Sequence, residues 1–132
     1  MTKILDCTIR DGGYLNNWEF SDEEVGSLIG CAIKNGVEYF EIGYRSNKSG
    51  SKFLRCENSE IFQFLQAGIK LLVMLNVSDF EDNLFEENSF IKTVRVACHS
   101  WELAKAIEIC EKLLDKNYEI FLHLMKLFYP YA

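Results

Sequence analysis

The sequence has 132 residues, of which 48% are hydrophobic and 14% aromatic, and this composition excludes an intrinsically disordered chain. The formal net charge of −6 and the lack of a basic run argue against nucleic acid as a partner. No apolar stretch is long enough to span a bilayer and the polar start is not a signal peptide, so we predict no membrane partner and a cytoplasmic location.

Strand and helix patterns alternate along the chain. Short apolar segments predict five strands, at residues 4–9, 37–42, 69–77, 91–98 and 118–124. The acidic segment 78–88 predicts a short helix or turn. Because strands that alternate with helices through short connections are typical of parallel sheets, we expect the helices to cover the outside of a parallel sheet.

Three helices are predicted from the spacing of apolar residues. The first begins at a capping box of Ser21 and Glu24 and ends at Gly36. The second spans residues 57–67, and the third runs from Ser100, as N-cap, to residue 114.

Alternation within the strands separates an apolar face from a polar one. Phe40 and Ile42, for example, point to the side opposite Glu41. The polar side collects Asp6, Arg10, Glu41, Arg95, His99 and His123. A doubly wound sheet would bury both faces under apolar helices, whereas a barrel can enclose a polar face beneath an active site. The pattern therefore favours an α/β fold with (β/α)₈ TIM-barrel topology.

A complete barrel has eight βα units in about 250 residues, and this chain supplies about five. We therefore predict a single, incomplete barrel domain over residues 1–132, the N-terminal part of a barrel. Its first and fifth strands would be open edges, which parallel sheets rarely leave unpaired. A homo-oligomer, or a complementing chain that binds these edges, is the expected protein partner.

The carboxyl ends of parallel strands carry the chemistry in such folds, and this rule selects Arg10, Asp11, Tyr14 and Glu41. Asp11 is a hard oxygen ligand that suits a divalent cation. Arg10 could bind a carboxylate or stabilise an enolate, Glu41 could hold Arg10 in place, and Tyr14 could donate a proton. The alternatives are a simple turn for the Arg-Asp-Gly-Gly run and a solvated charge for Glu41. The same rule selects Asn76, His99, Tyr44 and Arg45.

Two motifs carry a resemblance to a known family. Residues 5–13, Leu-Asp-Cys-Thr-Ile-Arg-Asp-Gly-Gly, resemble the first-strand signature of the metal-dependent aldolase and lyase barrels. These include HMG-CoA lyase, the pyruvate carboxyltransferase domain and 4-hydroxy-2-oxovalerate aldolase. Residues 40–43, Phe-Glu-Ile-Gly, resemble the second-strand motif of that group, and the continuation to Tyr44 and Arg45 looks most like its 4-hydroxy-2-oxovalerate aldolase branch.

This resemblance implies carbon–carbon bond cleavage or formation on a small 2-oxo acid substrate. Asp11 would be a ligand of a divalent metal, Mn or Mg. Arg10 would stabilise the enolate of pyruvate or a similar 2-oxo acid, and Glu41 would orient Arg10. Tyr14 stands near the position where the oxovalerate aldolases have a catalytic histidine.

One departure from the family bears on activity. The family supplies further metal ligands from a His-x-His pair, and no such pair occurs in this sequence. A metal held by Asp11 alone would bind weakly, so we expect the aldolase activity of this chain to be impaired. The sequence leaves open whether the chain is itself an enzyme. The alternative is a non-catalytic half-barrel that acts as a binding or self-pairing module; a phosphate-binding α/β domain ranks last because no GxGxxG or P-loop pattern occurs.

Overall fold

The computed structural model describes residues 2–126. Five parallel strands form one sheet in chain order: β1 Leu5–Asp6, β2 Tyr39–Tyr44, β3 Lys70–Asn76, β4 Thr93–Cys98 and β5 Glu119–Leu124. The sheet is curled into half of a barrel, with helices on its convex side. The predicted incomplete TIM-barrel topology is therefore confirmed.

Aromatic contacts on the concave face show how strongly the sheet is curled. The ring centroids of Tyr39 on β2 and Phe121 on β5 lie 5.3 Å apart. In a flat sheet these two strands would be about 14 Å apart, since adjacent strands are separated by about 4.8 Å. Side chains from strands that are not neighbours therefore meet inside the half-barrel.

The main hydrophobic core lies between the convex face of the sheet and the helices. Helix α1 spans Thr8–Gly12, α2 Asp22–Lys34, α3 Asn58–Ile61 and α4 Leu103–Asp115. The sheet contributes one alternating set of residues, and the two long helices contribute a stripe each: Phe40, Ile42, Val73, Leu75, Val94 and Val96 pack with Val25, Ile29, Ala106, Ile109 and Leu113. The apolar face predicted for β2 is thus confirmed, and Val94 and Val96 of β4 belong to the same core.

The ends of α2 follow the predicted signals. The Glu24 N–H donates to Ser21 Oγ at 3.1 Å, and the Ser21 N–H donates to Glu24 Oε2 at 3.2 Å, which is the reciprocal capping box. Gly36 follows the helix with φ of +74°, the left-handed conformation that glycine adopts without a steric penalty.

The first strand is shorter than predicted, and the reason is local. Asp6 Oδ1 accepts the Thr8 N–H at 2.9 Å, and the Asp11 N–H donates to the Cys7 carbonyl oxygen at 2.9 Å. An aspartate side chain that bonds the backbone two residues ahead competes with strand pairing. The chain therefore turns into α1, and the strand alternation predicted for residues 8–10 is wrong: Arg10 lies on a helix.

Two helix predictions also need correction. The predicted helix 57–67 is reduced to α3 and a 3₁₀ turn, Phe62–Phe64, because its N-cap has no side-chain hydrogen bond and so short a helix has little intrinsic stability. Ser100 is not the N-cap of the last helical segment. It is the first residue of the 3₁₀ turn Ser100–Glu102, and Glu102 Oε1 accepts the N–H of His99 at 2.9 Å.

The remaining connections are short 3₁₀ turns, at Gly13–Leu15, Lys52–Leu54, Val77–Asp79 and Asp82–Leu84. The last two agree with the short helix or turn predicted for the acidic segment. No helix among residues 2–126 combines the length and the apolar character needed to cross a membrane.

A bulge in β2 determines which of its residues face the interior. The register against β3 shifts between Glu41 and Gly43. Strict alternation would place Glu41 and Tyr44 on opposite faces, and the extra residue brings both to the concave side. A Cβ at Gly43 would lie 2.1 Å from the Phe53 carbonyl oxygen and 2.8 Å from Cys56 Sγ, so only glycine fits here.

We predict that Gly43→Ala lowers the free energy of unfolding by about 3 kcal/mol, because the contact is with backbone that cannot move aside freely. Urea denaturation measures this change. The control is Gly26→Ala in the interior of α2, where no atom beyond the neighbouring residues and backbone of the helix itself lies within 4 Å of the added Cβ. It should stabilise the protein by about 1 kcal/mol, since alanine is the better helix former. Equal effects of the two substitutions would contradict the proposed close approach.

Candidate active site

Three charged side chains meet on the concave face of the half-barrel. Glu41 Oε1 accepts hydrogen bonds from Arg10 Nε at 2.7 Å and from Arg95 Nη2 at 2.6 Å. Its Oε2 accepts a further bond from Arg95 Nε at 2.7 Å. The Glu41 side chain has no exposure to solvent, and the Arg10 and Arg95 side chains are 13% and 12% exposed. We call Arg10, Glu41 and Arg95 the Arg–Glu–Arg triad; it carries one net positive charge.

Each residue of the triad lies on a different helix or strand. Arg10 lies on α1, whose position is fixed from outside the helix by Trp18, since the indole Nε1–H donates to the Arg10 carbonyl oxygen at 2.9 Å. Glu41 and Arg95 lie on β2 and β4, on strands separated by β3, and the curl of the sheet brings them into contact. Met74 of β3 completes the layer, with its Sδ 3.5 Å from Arg95 Nη2.

The electrostatics keep Arg10 charged. Burial disfavours the guanidinium and lowers its pKa, but the hydrogen bond and the charge of Glu41, with a smaller effect of Tyr44, outweigh burial and raise the pKa of Arg10 above its ordinary value. A cation that is partly shielded from water interacts strongly with an anion at the mouth of the site. The triad is therefore suited to bind an anionic group.

Asp11 is at the rim, as predicted, but it is loosely held. Its carboxylate is 69% exposed, and Oδ1 lies 3.4 Å from Arg10 Nη1. Within residues 2–126, no three histidine, cysteine, aspartate or glutamate side chains are grouped so that they could hold a metal ion. A single exposed carboxylate beside a guanidinium does not form a divalent-metal site, so the described residues alone do not fit the predicted metal.

Tyr14 belongs to an aromatic group above the triad. Its hydroxyl lies 2.6 Å from the hydroxyl of Tyr44, and either can donate. Trp18 packs edge-on against both rings, with centroids 4.8 Å from Tyr14 and 5.8 Å from Tyr44. Burial, followed by the bond to Tyr14, raises the pKa of Tyr44 to about 12, although Arg10 opposes the shift. Tyr14 is 65% exposed and connects to the triad through Tyr44.

Trp18 and Gly13 explain why this group is ordered. Trp18 has φ of +58°, which is unusual for a bulky residue and needs support from its surroundings. Its ring takes the space of the missing side chain at Gly13, where a Cβ would lie 2.0 Å from the indole. The lack of a side chain at Gly13 therefore makes room for the Trp18 ring.

Other residues that the sequence places at the mouth are engaged elsewhere. Arg45 is buried and turns away from the triad, donating from Nη1 to the Leu84 carbonyl oxygen at 2.8 Å. His99 stacks on Trp101, with ring centroids 4.4 Å apart. His123 is exposed on β5, and partial desolvation together with the charges of Arg95 and Arg10 lowers its pKa.

The contact of Arg95 with Glu41 was not predicted from the sequence. The alternation of β4 did place it on the polar face with Glu41. The sequence did not indicate that the two side chains lie close together, because β2 and β4 are not adjacent and meet only through the curl of the sheet. An arginine on the inner face of a strand, two strands from an inner glutamate, is the pattern that could have indicated the pair.

We predict that Glu41→Gln lowers the free energy of unfolding by about 3 kcal/mol, because two buried guanidinium groups lose their shared counter-charge. Chemical denaturation at pH 7 measures this loss. The matched control is Glu60→Gln, which breaks the bond to Arg55 between side chains that are 28% and 22% exposed and should cost less than about 1 kcal/mol. A loss at Glu41 no larger than that at Glu60 would contradict a buried triad.

The raised pKa of Tyr44 predicts a loss of stability at high pH. The folded protein holds the phenol proton more tightly than the unfolded chain, whose tyrosine pKa is about 10. This contribution is complete below pH 10 and is lost as the pH rises towards about 12. The difference in unfolding free energy between the wild type and Tyr44→Phe should therefore decrease over this range. A constant difference would show that the phenol is not perturbed.

Comparisons with known proteins show which proteins this chain is similar to. No protein-family model matches the chain. The chain is 28% identical over 108 residues to 4-hydroxy-2-oxovalerate aldolase from Moorella thermoacetica, a match that covers 75% of this chain and 32% of the relative. It is 25% identical over 122 residues to 4-hydroxy-2-oxovalerate aldolase 6 from Rhodococcus jostii, covering 86% and 34%. A 41-residue segment is 39% identical to oxaloacetate decarboxylase from Mycobacterium tuberculosis, covering 31% and 12%.

A solved structure gives the same result. The N-terminal domain of a Bacteroides vulgatus protein described as an aldolase superposes with a TM-score of 0.74 and 25% identity, over 92% of this chain and 44% of that one. This chain spans about a third of the length of the two curated aldolases that it matches. In sequence and in fold, this chain is therefore similar to the N-terminal part of proteins named 4-hydroxy-2-oxovalerate aldolase or described as an aldolase.

Proposed function

We propose that the Arg–Glu–Arg triad binds a small 2-oxo acid, as part of an aldolase- or lyase-type site for carbon–carbon cleavage or formation. The observation that carries this proposal is the Arg10 guanidinium, held at the mouth by a fully buried Glu41. A buried ion triad adds little net stability compared with apolar packing. Its net positive charge on a concave face instead suits an anionic substrate such as pyruvate.

The roles of the residues follow from their contacts. In the cleavage direction, the C4 hydroxyl of a 4-hydroxy-2-oxo acid would lose its proton to a base at the mouth while the bond between C3 and C4 breaks. The electrons of that bond form the enolate of pyruvate, and C4 leaves as the carbon of an aldehyde. The enolate then takes up a proton at C3. Arg10 would stabilise the oxygen on which this negative charge develops. Glu41 would orient Arg10 and would not act as a base, since both of its oxygens accept hydrogen bonds from guanidinium groups.

Tyr14 is proposed as the proton donor or acceptor at the mouth. Its exposed hydroxyl is hydrogen-bonded to Tyr44, which neighbours Arg10. A proton could pass between the two hydroxyls because either one can donate. This pair would act where the sequence resemblance predicts a histidine.

The divalent metal, Mn or Mg, remains a proposal in which Asp11 supplies one oxygen ligand. Because residues 2–126 contain no group of three ligand side chains, the other ligands must come from outside this segment. We therefore expect the chain by itself to have impaired activity.

The test is to measure the binding of oxalate, a stable analogue of the pyruvate enolate, by isothermal titration calorimetry or NMR titration. We expect saturable binding that Arg10→Lys weakens about tenfold, because lysine cannot make the planar contacts of a guanidinium. The matched control, Arg55→Lys, alters a guanidinium that is paired with Glu60 outside the triad and should bind as the wild type does. Absence of oxalate binding in the wild type would refute the proposed function.

Catalysis is measured separately, as deuterium exchange into the methyl group of pyruvate with and without Mn²⁺. We expect little exchange by the 132-residue chain, given the missing ligand group among its described residues. Rapid, Mn²⁺-dependent exchange that Asp11→Asn abolishes would show that the chain is not impaired.

A second candidate function is a non-catalytic half-barrel that pairs with a copy of itself. Within residues 2–126, β1 pairs only with β2 and β5 only with β4, so both edges are free. Phe121 and Leu122 on β5 are 39% and 45% exposed. Light scattering coupled to size exclusion distinguishes this candidate: a dimer that Phe121→Lys dissociates would support pairing, and a monomer at all concentrations would exclude it.

A further inference from the structure

Arg95 holds Glu41 more completely than Arg10 does. It presents Nε to Oε2 at 2.7 Å and Nη2 to Oε1 at 2.6 Å, the parallel arrangement in which a guanidinium and a carboxylate bind most strongly. Arg10 reaches the same carboxylate through Nε alone, at Oε1. The two arginines therefore bind Glu41 in different ways.

This difference decides where the rest of Arg10 points. Because Arg95 occupies the side of the carboxylate that spans both oxygens, Arg10 cannot make a second parallel pair with Glu41. Its Nη groups are left for the mouth, where Nη1 lies 3.4 Å from Asp11 and the Tyr44 hydroxyl is close enough to raise the Arg10 pKa.

Without Arg95, nothing in the triad would prevent Arg10 from binding both oxygens of Glu41. The Glu41 carboxylate could rotate about its last torsion and take Arg10 through both Nε and an Nη group, since a bidentate pair is the stronger one. Arg10 would then satisfy its donors within the protein and present fewer of them to a ligand. The same two residues would remain in contact, but the binding surface would be lost.

We infer that Arg95 is a positioning residue: it occupies the two-oxygen side of Glu41, so that Arg10 is held by Nε alone and keeps its Nη groups available to an anion at the mouth. The effect on a ligand rests on the proposed function, whereas the effect on Arg10 does not. Arg95 itself would contact the carboxylate of Glu41 and not the substrate.

The experiment uses the full 132-residue chain, labelled with ¹⁵N at arginine, and the variants Arg95→Lys and Arg95→Met. Lysine keeps the positive charge but cannot span two carboxylate oxygens, and methionine removes the charge while filling a similar space beside Met74. The first readout is the Nε–H resonance of Arg10, assigned by its disappearance in Arg10→Lys. The second is the dissociation constant of oxalate.

In both variants we expect the Arg10 Nε–H chemical shift to change and the oxalate dissociation constant to rise about fivefold or more, because the orientation of a guanidinium is lost even where charge is kept. Arg55→Lys is the control for replacing an arginine that pairs with a glutamate elsewhere, and it should change neither readout. Should Arg95→Met fail to fold, Arg95→Lys alone decides.

Two results would overturn the inference. If Arg95→Lys binds oxalate as the wild type does, Arg95 acts only through its charge. If the variants lower the melting temperature but leave the Arg10 Nε–H resonance and the oxalate affinity unchanged, Arg95 is merely structural. Failure of the wild type to bind oxalate would refute the proposed function, and the Arg10 resonance would still decide whether Arg95 positions Arg10.

Discussion

The carboxylate of Glu41 lies between two guanidinium groups and has no contact with solvent. An ionised carboxylate is costly to bury unless every oxygen is matched by donors, and here three N–H groups from Arg10 and Arg95 match it. This requirement ties α1, β2 and β4 together across the concave face. The geometry of the candidate site therefore depends on the curl of the sheet, because the Glu41 carboxylate is fully paired only where β2 and β4 come together.

The two faces of the sheet differ in role: the convex face packs against the helices, and the concave face carries the charged triad. The convex face buries an apolar layer against α2 and α4, and this layer supplies the hydrophobic free energy of folding. On the concave face, a smaller apolar group of Tyr44, Met74 and Ala97 lies beside the triad. Because the helices cover only one face, the other is free to carry the charged groups that the proposed anion site requires.

The aromatic group at the mouth complements the triad. Trp18 holds an unfavourable backbone conformation, and its hydrogen bond to the Arg10 carbonyl oxygen together with its packing on Gly13 compensates for it. The same side chain orders Tyr14 and Tyr44 above Arg10. The strained backbone of Trp18 therefore lies beside the hydroxyls of Tyr14 and Tyr44 and close to Arg10. Backbone strain is often found at functional sites.

Much of the fold could be predicted from local patterns. The capping box at Ser21, the left-handed Gly36 and the alternation in β2 and β4 act over a few residues, so the sequence displays them directly. The predictions failed where a side chain competed with the backbone, as when Asp6 turned the expected first strand into α1.

Local patterns in the sequence were enough to predict the parallel half-barrel, its apolar outer face and the presence of Arg10, Asp11 and Glu41 near the strand ends. The three-dimensional fold, in contrast, establishes that Arg95 pairs with Glu41, that Arg45 turns away from the triad and that the Tyr14 hydroxyl lies beside that of Tyr44. The physical reason is curvature. The periodicity of a helix or strand is visible in a few residues. The distance between side chains on β2 and β4 depends on the curl of the whole sheet, which no short stretch of sequence indicates.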